Sequence, residues 1–284
     1  NLTAENGGEV TLYAVWTRDI ILSGDIVAPN VSDAENLDVV LVGLDGTEYP
    51  VSVTGSQSPY HYTVTVPEGE YQLIVKDTRD GGVTVTAKEE LTEDKTEETI
   101  TMPTGNKSSI VDSENAGDYV PIVGGLDAIA KDTAGTNVTV TLTVTHEPAN
   151  EEDAEHDALM DAAGSQKSKL TFLEIDLAKN VDGNQSAITQ TDDAIEIVIP
   201  FDTTRKQNFK VYRFHDDNTN GQVDEGEVDI LTTTANGDGE HIIVGTGSVT
   251  IHAKFFSLYA IGYNDVIPYY PVTHSCTSKC DVCG

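Results

Sequence analysis

The chain has 284 residues, of which 48 are acidic and 16 basic, so its formal net charge at pH 7 is −32. A charge of this sign and size repels nucleic acid and anionic lipid, and it favours divalent cations or basic partners. No apolar run approaches the roughly 20 residues that a membrane-spanning helix needs, so neither nucleic-acid binding nor membrane insertion is expected.

Threonine and valine are abundant and helical periodicity is scarce, which favours a mainly β fold. The length allows two or three modules, and we expect tandem β-sandwiches, the second with one α-helix. All three cysteines (Cys276, Cys280 and Cys283) lie close to the carboxyl end. The body of the chain must therefore fold without disulfides.

Residues 1–17 predict a single strand, because apolar residues alternate after a Gly-Gly turn. The apolar positions are Val10, Leu12, Ala14 and Trp16. The stretch GGEVTLYAVWT resembles the closing strand of the Listeria–Bacteroides repeat (InlB B-type), which implies a β-grasp-like module of a bacterial surface adhesin. Since one strand cannot fold alone, we expect the chain to be a fragment of a longer exported protein.

Residues 18–103 predict a Greek-key β-sandwich, because short strands alternate with Asp-Gly, Pro-x-Gly and Gly-Gly turns. The predicted strands are Ile20–Val27, Leu37–Val42, Tyr49–Thr54, Tyr60–Val66, Tyr71–Lys76, Val83–Ala87 and Thr96–Met102. The run YTVTVPEGEYQLIVKD resembles transthyretin-like and Cna-B-like surface modules. That resemblance implies a spacer that holds other domains away from the cell wall.

Residues 104–264 predict a second β-rich module, which begins with a polar linker at Thr104–Ser109. One helix is expected over Pro148–Ala163, with an apolar stripe of Ala158, Leu159 and Ala162 and an end at Gly164. The predicted strands are Val138–Val144, Leu170–Leu177, Ala194–Phe201, Phe209–Phe214, His241–Val244 and Val249–Tyr263.

An acidic loop follows the strand at Phe209–Phe214, and its spacing is that of a twelve-residue calcium loop of the EF-hand type. Asp216, Asn218, Asn220, Gly221, Asp224 and Glu227 occupy positions 1, 3, 5, 6, 9 and 12 of this loop. The predicted ligands are the side chains of Asp216, Asn218, Asn220, Asp224 and Glu227 and the backbone carbonyl of Gln222. Strand-like sequence replaces the entering helix, and an acidic hairpin tip is the alternative. The expected cofactor is Ca²⁺ in a structural role.

Two further resemblances concern the second half. The runs FKVYRFHDD and SVTIHAKFFSLYAIGY resemble a module common in multidomain surface proteins of Gram-positive gut bacteria, in which the turn after His-Asp is short. Residues 265–284, a Pro- and Cys-rich linker, resemble the connector before S-layer homology modules of clostridial proteins. This resemblance implies attachment to the cell wall through C-terminal modules of the parent chain.

The three cysteines and His274 leave three alternatives open: disulfides in the full protein, a zinc site, or neither. The spacing of the cysteines is also that of radical S-adenosylmethionine enzymes, but a β-rich chain does not have the fold of those enzymes. His146 and His156 miss the HExxH pattern, and no nucleophile elbow or P-loop is present.

We therefore expect a non-enzymatic, extracellular, cell-wall-associated protein with a role in adhesion or display, whose host or glycan ligand the sequence does not identify. The alternative is a carbohydrate-binding region of a secreted glycan-degrading enzyme, for which Tyr60, Tyr62, Tyr269 and Tyr270 are the candidate stacking rings. Tyrosines in strands are more often packed than exposed.

Overall fold

The computed structural model describes residues 18–114, 121–148, 153–216 and 220–266. Most of these residues lie in strands arranged in four sheets, which confirms the mainly β, sandwich-type fold. The predictions for residues 1–17, for Tyr269 and Tyr270, and for His274 and the three cysteines lie outside the described residues. No helix in the described ranges has the length and apolar character required to cross a bilayer.

The first sandwich consists of two four-stranded sheets that share one apolar core. Its strands are β1 (Asp19–Val27), β2 (Leu37–Gly43), β3 (Glu48–Pro50), β4 (Ser52–Thr54), β5 (Tyr60–Pro67), β6 (Gly69–Asp77), β7 (Thr84–Leu91) and β8 (Lys95–Thr101). The sheets have the orders β4-β5-β1-β8 and β3-β2-β6-β7. Buried and exposed residues alternate along β1 and β5, so each strand turns one apolar face to the core.

The strand predicted over Tyr49–Thr54 is two strands in different sheets. β3 pairs with β2, whereas β4 pairs with β5. Between them, the amide of Val51 donates to the carbonyl of Val39 at 2.9 Å, and the Val51 side chain is buried. The chain therefore crosses from one sheet to the other at Val51.

The second sandwich has a seven-stranded sheet facing a four-stranded one. Its elements are β9 (Asn106–Glu114), β10 (Ile122–Gly124), α1 (Leu126–Asp132), β11 (Asn137–Glu147), α2 (Ala154–Ala163), a 3₁₀ helix (Gly164–Lys169), β12 (Thr171–Val181), β13 (Asn184–Ala187), β14 (Gln190–Pro200), β15 (Lys206–Phe214), β16 (Val228–Leu231), β17 (His241–Val244), β18 (Ser248–Phe255) and β19 (Leu258–Asp265). The large sheet has the order β16-β15-β19-β12-β11-β9, with β13 paired to β12, and the small one has the order β10-β14-β18-β17.

The strand predicted over Val249–Tyr263 also divides between the sheets, with β18 in the small sheet and β19 in the large one. At the crossing, the amide of Phe256 donates to the carbonyl of Thr189 at 3.1 Å. The carbonyl of Ser257 accepts from the amide of Ile175 at 3.0 Å. Phe256 is thus bonded to the residue that precedes β14 of the small sheet, and Ser257 is bonded to β12 of the large sheet.

The linker predicted at Thr104–Ser109 is wrong in part, because β9 begins at Asn106 and pairs in parallel with β11. The helix predicted from Pro148 begins later, at Ala154. Asp153 caps it by accepting a hydrogen bond from the amide of His156 at 2.8 Å.

The end of α2 at Gly164 is confirmed. Its buried stripe is His156, Leu159 and Ala163, and Ala162 is exposed. A second, shorter helix, α1, was not predicted, since seven residues are too few to establish helical periodicity.

Candidate metal centre in the β15–β16 loop

The acidic loop connects β15 and β16, two antiparallel strands that lie at the edge of the seven-stranded sheet. The amide of His215 donates to the carbonyl of Glu227 at 2.9 Å and so closes the loop at its base. The twelve-residue motif is therefore held by a β-hairpin, in agreement with its strand-like flanks. Asn218, one of the predicted ligands, lies outside the described residues.

The carboxylate of Asp216 is hydrogen-bonded to the backbone at the middle of the loop. Its two oxygens accept hydrogen bonds from the amides of Asn220, at 3.2 Å, and Gly221, at 2.7 Å. Gly221 has a φ of +71°, a left-handed conformation that glycine adopts without steric cost. This is the role that the motif assigns to glycine at its sixth position.

Further hydrogen bonds link the predicted ligands between Asn220 and Glu227. The side-chain amide of Asn220 donates to Asp224 at 2.8 Å, and its oxygen accepts from the backbone amide of Gln222 at 2.7 Å. Glu227 is 4% exposed, and its carboxylate accepts from the amide of Asp224 at 2.7 Å. Asp216, Asn220, Asp224 and Glu227 are thus brought together in one hydrogen-bonded network.

Carboxylate and amide oxygens are the donors that Ca²⁺ prefers, so the chemistry of this set fits the ion. In the described part of the chain, however, no three His, Cys, Asp or Glu side chains are placed to hold one metal ion together. Asp216 and Glu227 direct oxygens to backbone amides of the loop. Each of these oxygens has a second lone pair, so the hydrogen bonds to the amides leave acceptor positions that an ion could use.

The loop packs against the large sheet and helix α2. Val223, at the eighth position of the motif, packs with Val228 against an apolar cluster on the outer face of the large sheet. The buried members of this cluster are Leu159, Ala163, Phe172, Tyr212, Phe214, Leu258 and Ala260. The loop is therefore attached at its base by the hairpin and in its middle by the packing of Val223.

Acidic side chains gather beside this attachment. Burial raises the pKa of Glu155, and the neighbouring carboxylates of Asp153 and Asp216 raise it further. Burial, followed by the charge of Asp176 and of other carboxylates including Glu155, raises the pKa of Glu174 to about 7. The region between the loop and the start of α2 therefore has a negative potential, which attracts cations.

Arg213, in the VYRFHDD stretch just before the loop, is 1% exposed and pairs with Glu240 and Asp229. Its guanidinium lies 4.7 Å from the centre of the Phe255 ring. Burial disfavours its charge, but Tyr259, Glu240 and Asp229 hold the pKa of Arg213 above its ordinary value. The arginine is therefore a structural anchor of the hairpin that carries the loop.

Glu240 is also 1% exposed and accepts a further hydrogen bond from the amide of Lys254 at 2.8 Å. Burial would raise the pKa of Glu240, but the bonds from Arg213 and from the Lys254 amide hold it below its ordinary value. Sequence reasoning missed this ion pair. The only available signal was Arg213 at an inward-facing position of a strand, and its partner lies 27 residues away.

Two of the candidate carbohydrate-stacking rings are inaccessible, since Tyr60 and Tyr62 are both 0% exposed. The hydroxyl of Tyr60 donates to the carbonyl of Val31 at 2.8 Å. These rings belong to the core of the first sandwich, as the packing interpretation predicts. His156 is likewise buried, with Nδ1 2.8 Å from Asp153 and its ring 4.6 Å from that of Phe172.

The sequence was compared with models of known protein families and with curated protein sequences. No family model matches the chain, and no curated protein is significantly similar to it. The surface-module resemblances noted above therefore rest on their own motifs.

Proposed function

We propose that this chain is a non-enzymatic part of an extracellular cell-surface protein, with a structural role in adhesion or display. Its acidic loop binds Ca²⁺ and thereby stabilises the hairpin at the edge of the second sandwich. Because residues 265–284 resemble the connector before S-layer homology modules, we also propose that the protein is attached to the cell wall through further C-terminal modules. The net charge of −32 supports an exposed, cation-rich setting.

The observation that carries the proposal is the arrangement of Asp216, Gly221, Asp224 and Glu227. The turn at Gly221 and the hydrogen bonds of the Asp216 and Glu227 carboxylates to backbone amides of the loop support this proposal. An ordinary hairpin tip has no need of a glutamate buried at the base of the loop. A calcium ion offers a reason for it, since the twelfth position of such loops supplies a bidentate carboxylate.

Thermal unfolding with and without Ca²⁺ tests this proposal. Extracellular sites of this type have Kd values on the order of 10⁻⁴–10⁻³ M, so 10 mM Ca²⁺ should stabilise the protein by about 1.4–2.7 kcal/mol. This corresponds to an increase in Tm of roughly 3–10 °C. Glu227→Gln, which removes the buried carboxylate, should abolish most of that increase.

Glu225→Gln is the matched control, because Glu225 is exposed and lies in the same loop but outside the predicted ligand set. It changes the charge by the same amount and should keep the calcium response. An equal loss of response in both variants would point to general screening of acidic charge. No response of the wild-type protein to Ca²⁺, beyond that to an equal ionic strength of NaCl, would overturn the proposed site.

A further inference from the structure

The two sandwiches meet where β7 of the first lies beside β9 of the second. β7 is an edge strand, and an edge strand presents backbone amides without partners in its own sheet. The amide of Thr86 donates to the hydroxyl of Ser109 at 2.9 Å, and that of Thr84 donates to the hydroxyl of Ser108 at 3.2 Å. The two serine hydroxyls thus accept hydrogen bonds from β7 that the carbonyls of a neighbouring strand would otherwise accept.

Gln72 makes a second connection, and it is 1% exposed. The amide of Val123, in β10, donates to the side-chain oxygen of Gln72 at 2.7 Å. The side-chain nitrogen of Gln72 donates back to the carbonyl of Val123 at 3.3 Å. This reciprocal pair reproduces the hydrogen bonding of two strands across the junction, so the sandwiches are joined by specific and directional contacts.

Lys88 provides the ionic part of the junction. Its side chain is 12% exposed and pairs with Glu70 of the first sandwich at 2.9 Å and with Glu196 of the second. Gly124 of β10 lies close to this lysine, since a Cβ at that position would be in van der Waals contact with the Cβ of Lys88, at 3.4 Å. The Lys88 ammonium therefore holds one carboxylate from each sandwich.

His252 lies next to this ion pair, since Glu196 in β14 is directly opposite His252 in β18. The ring of His252 stacks on that of His241, in β17, with centroids 4.1 Å apart and an interplanar angle of 6°. Its Nε2 is buried, and no described residue forms a hydrogen bond with it.

The charged and titratable groups around His252 come from each neighbouring element. They are His241 of β17, Glu196 of β14, Lys88 of β7, Glu70 of β6 beyond that lysine, and Lys254 two residues along β18.

We propose that this junction is an acid-sensitive lock between the two sandwiches, closed while His252 is neutral and weakened when His252 takes up a proton. An imidazolium at this position repels the Lys88 ammonium and competes with it for Glu196. It also places a charge against the ring of His241. The first two effects weaken the Lys88–Glu196 pair, which joins the sandwiches.

The direction of the pH effect follows from the site. Burial lowers the pKa of His252, and His241 and Lys88 lower it further, against the opposing effect of Glu196. The unfolded or separated state therefore takes up the proton more readily than the closed junction. The stabilising contribution of neutral His252 is complete above the ordinary histidine pKa of about 6.5 and is lost as the pH falls below it.

Hydrogen exchange measured amide by amide tests the lock. The reporters are the amides of Thr86 and Val123, whose acceptors belong to the opposite sandwich. After correction for the intrinsic pH dependence of exchange, their protection should fall between pH 7.5 and 5.5, by at most about tenfold, since one group with an ordinary pKa of about 6.5 can contribute no more over that range. His252→Phe retains an aromatic ring for stacking but cannot titrate, so this fall should disappear.

His61→Phe is the matched control, because the His61 side chain is 60% exposed in the first sandwich, and it should behave as the wild type does. The amides of the β11–β12 ladder report whether each variant is folded, and His252→Gln serves if the phenylalanine variant is not. An unchanged loss of protection in a folded His252 variant would overturn the proposal. So would wild-type reporters whose corrected protection is independent of pH.

Discussion

At the scale of single residues, the second sandwich depends on a buried ion pair. Arg213 and Glu240 are each 1% exposed, and such a pair is stable only when every charge retains its partners. Their hydrogen bonds to Asp229 and to the Lys254 amide supply such partners, while among the described residues the buried Nε of Arg213 has none. The surface pair of Arg18 and Asp94, by contrast, lies 3.3 Å apart with both side chains well exposed, where such contacts contribute little.

Arg213→Met should therefore destabilise the protein by about 3–5 kcal/mol, because Glu240 is then left as an uncompensated buried charge. Urea denaturation at pH 7.5 measures this change. Lys210→Met, at an exposed position of the same strand, should change stability by no more than about 0.5 kcal/mol. Similar effects of the two substitutions would contradict a special role for the buried guanidinium.

At the scale of elements, the positions of most strands could be predicted, but the sheet to which each belongs could not. Alternation of apolar residues shows that a segment is extended with one buried face. It continues without a break through Val51 and is interrupted only briefly at Phe256 and Ser257, although the chain crosses between sheets at both places. Both faces of a sandwich core are apolar, so a strand that changes sheet keeps the same pattern.

Glu174, in β12 near helix α2, makes the free energy of unfolding depend on pH. Folding raises the pKa of Glu174 from 4.5 to about 7, mainly through burial. The folded protein therefore holds this proton more tightly than the unfolded chain. The contribution of Glu174 to stability is complete below pH 4.5 and is lost as the pH rises through about 7.

Glu174→Gln should remove this loss, since glutamine stays neutral. At pH 8 we expect the variant to be more stable than the wild type by about 1–2 kcal/mol, after allowance for solvent screening, and at pH 5.5 the difference should be smaller. Urea denaturation at the two pH values measures it. Glu48→Gln, at an exposed position of β3, should show no such pH dependence, and a wild-type advantage at pH 8 would refute the assignment.

At the scale of the whole molecule, the junction determines whether the two sandwiches behave as one body. Each has its own apolar core, composed of residues between Ile20 and Met102 in the first. The contacts between them are mainly polar: Gln72 with Val123, Thr86 with Ser109, and the Lys88 ion pairs. Polar contacts of this kind are directional, so they specify one relative orientation.

Gln72→Ala should leave the amide and carbonyl of Val123 unpaired, at a cost of about 1–3 kcal/mol. We expect calorimetry to show one cooperative unfolding transition for the wild type and two separate ones for this variant. Gln57→Ala, at an exposed position of the first sandwich, should retain the single transition. Two transitions in the wild type would show that the junction does not couple the sandwiches.

The sequence by itself determined the mainly β fold, most strand positions, the end of helix α2 at Gly164, and the place of the acidic loop directly after the strand at Phe209–Phe214. These features depend on the spacing of apolar residues and on the preferences of turn and capping residues, which are local properties of the chain.

The tertiary structure alone decided which charged and polar side chains pair with each other. Lys88 pairs with Glu196 across 108 residues, and Gln72 binds Val123 across 51. Acidic side chains are common on this surface, and no local pattern distinguishes the few that burial forces to pair. For the loop, the spacing predicted the ligand set, and the fold decided that a hairpin and the packing of Val223 hold it.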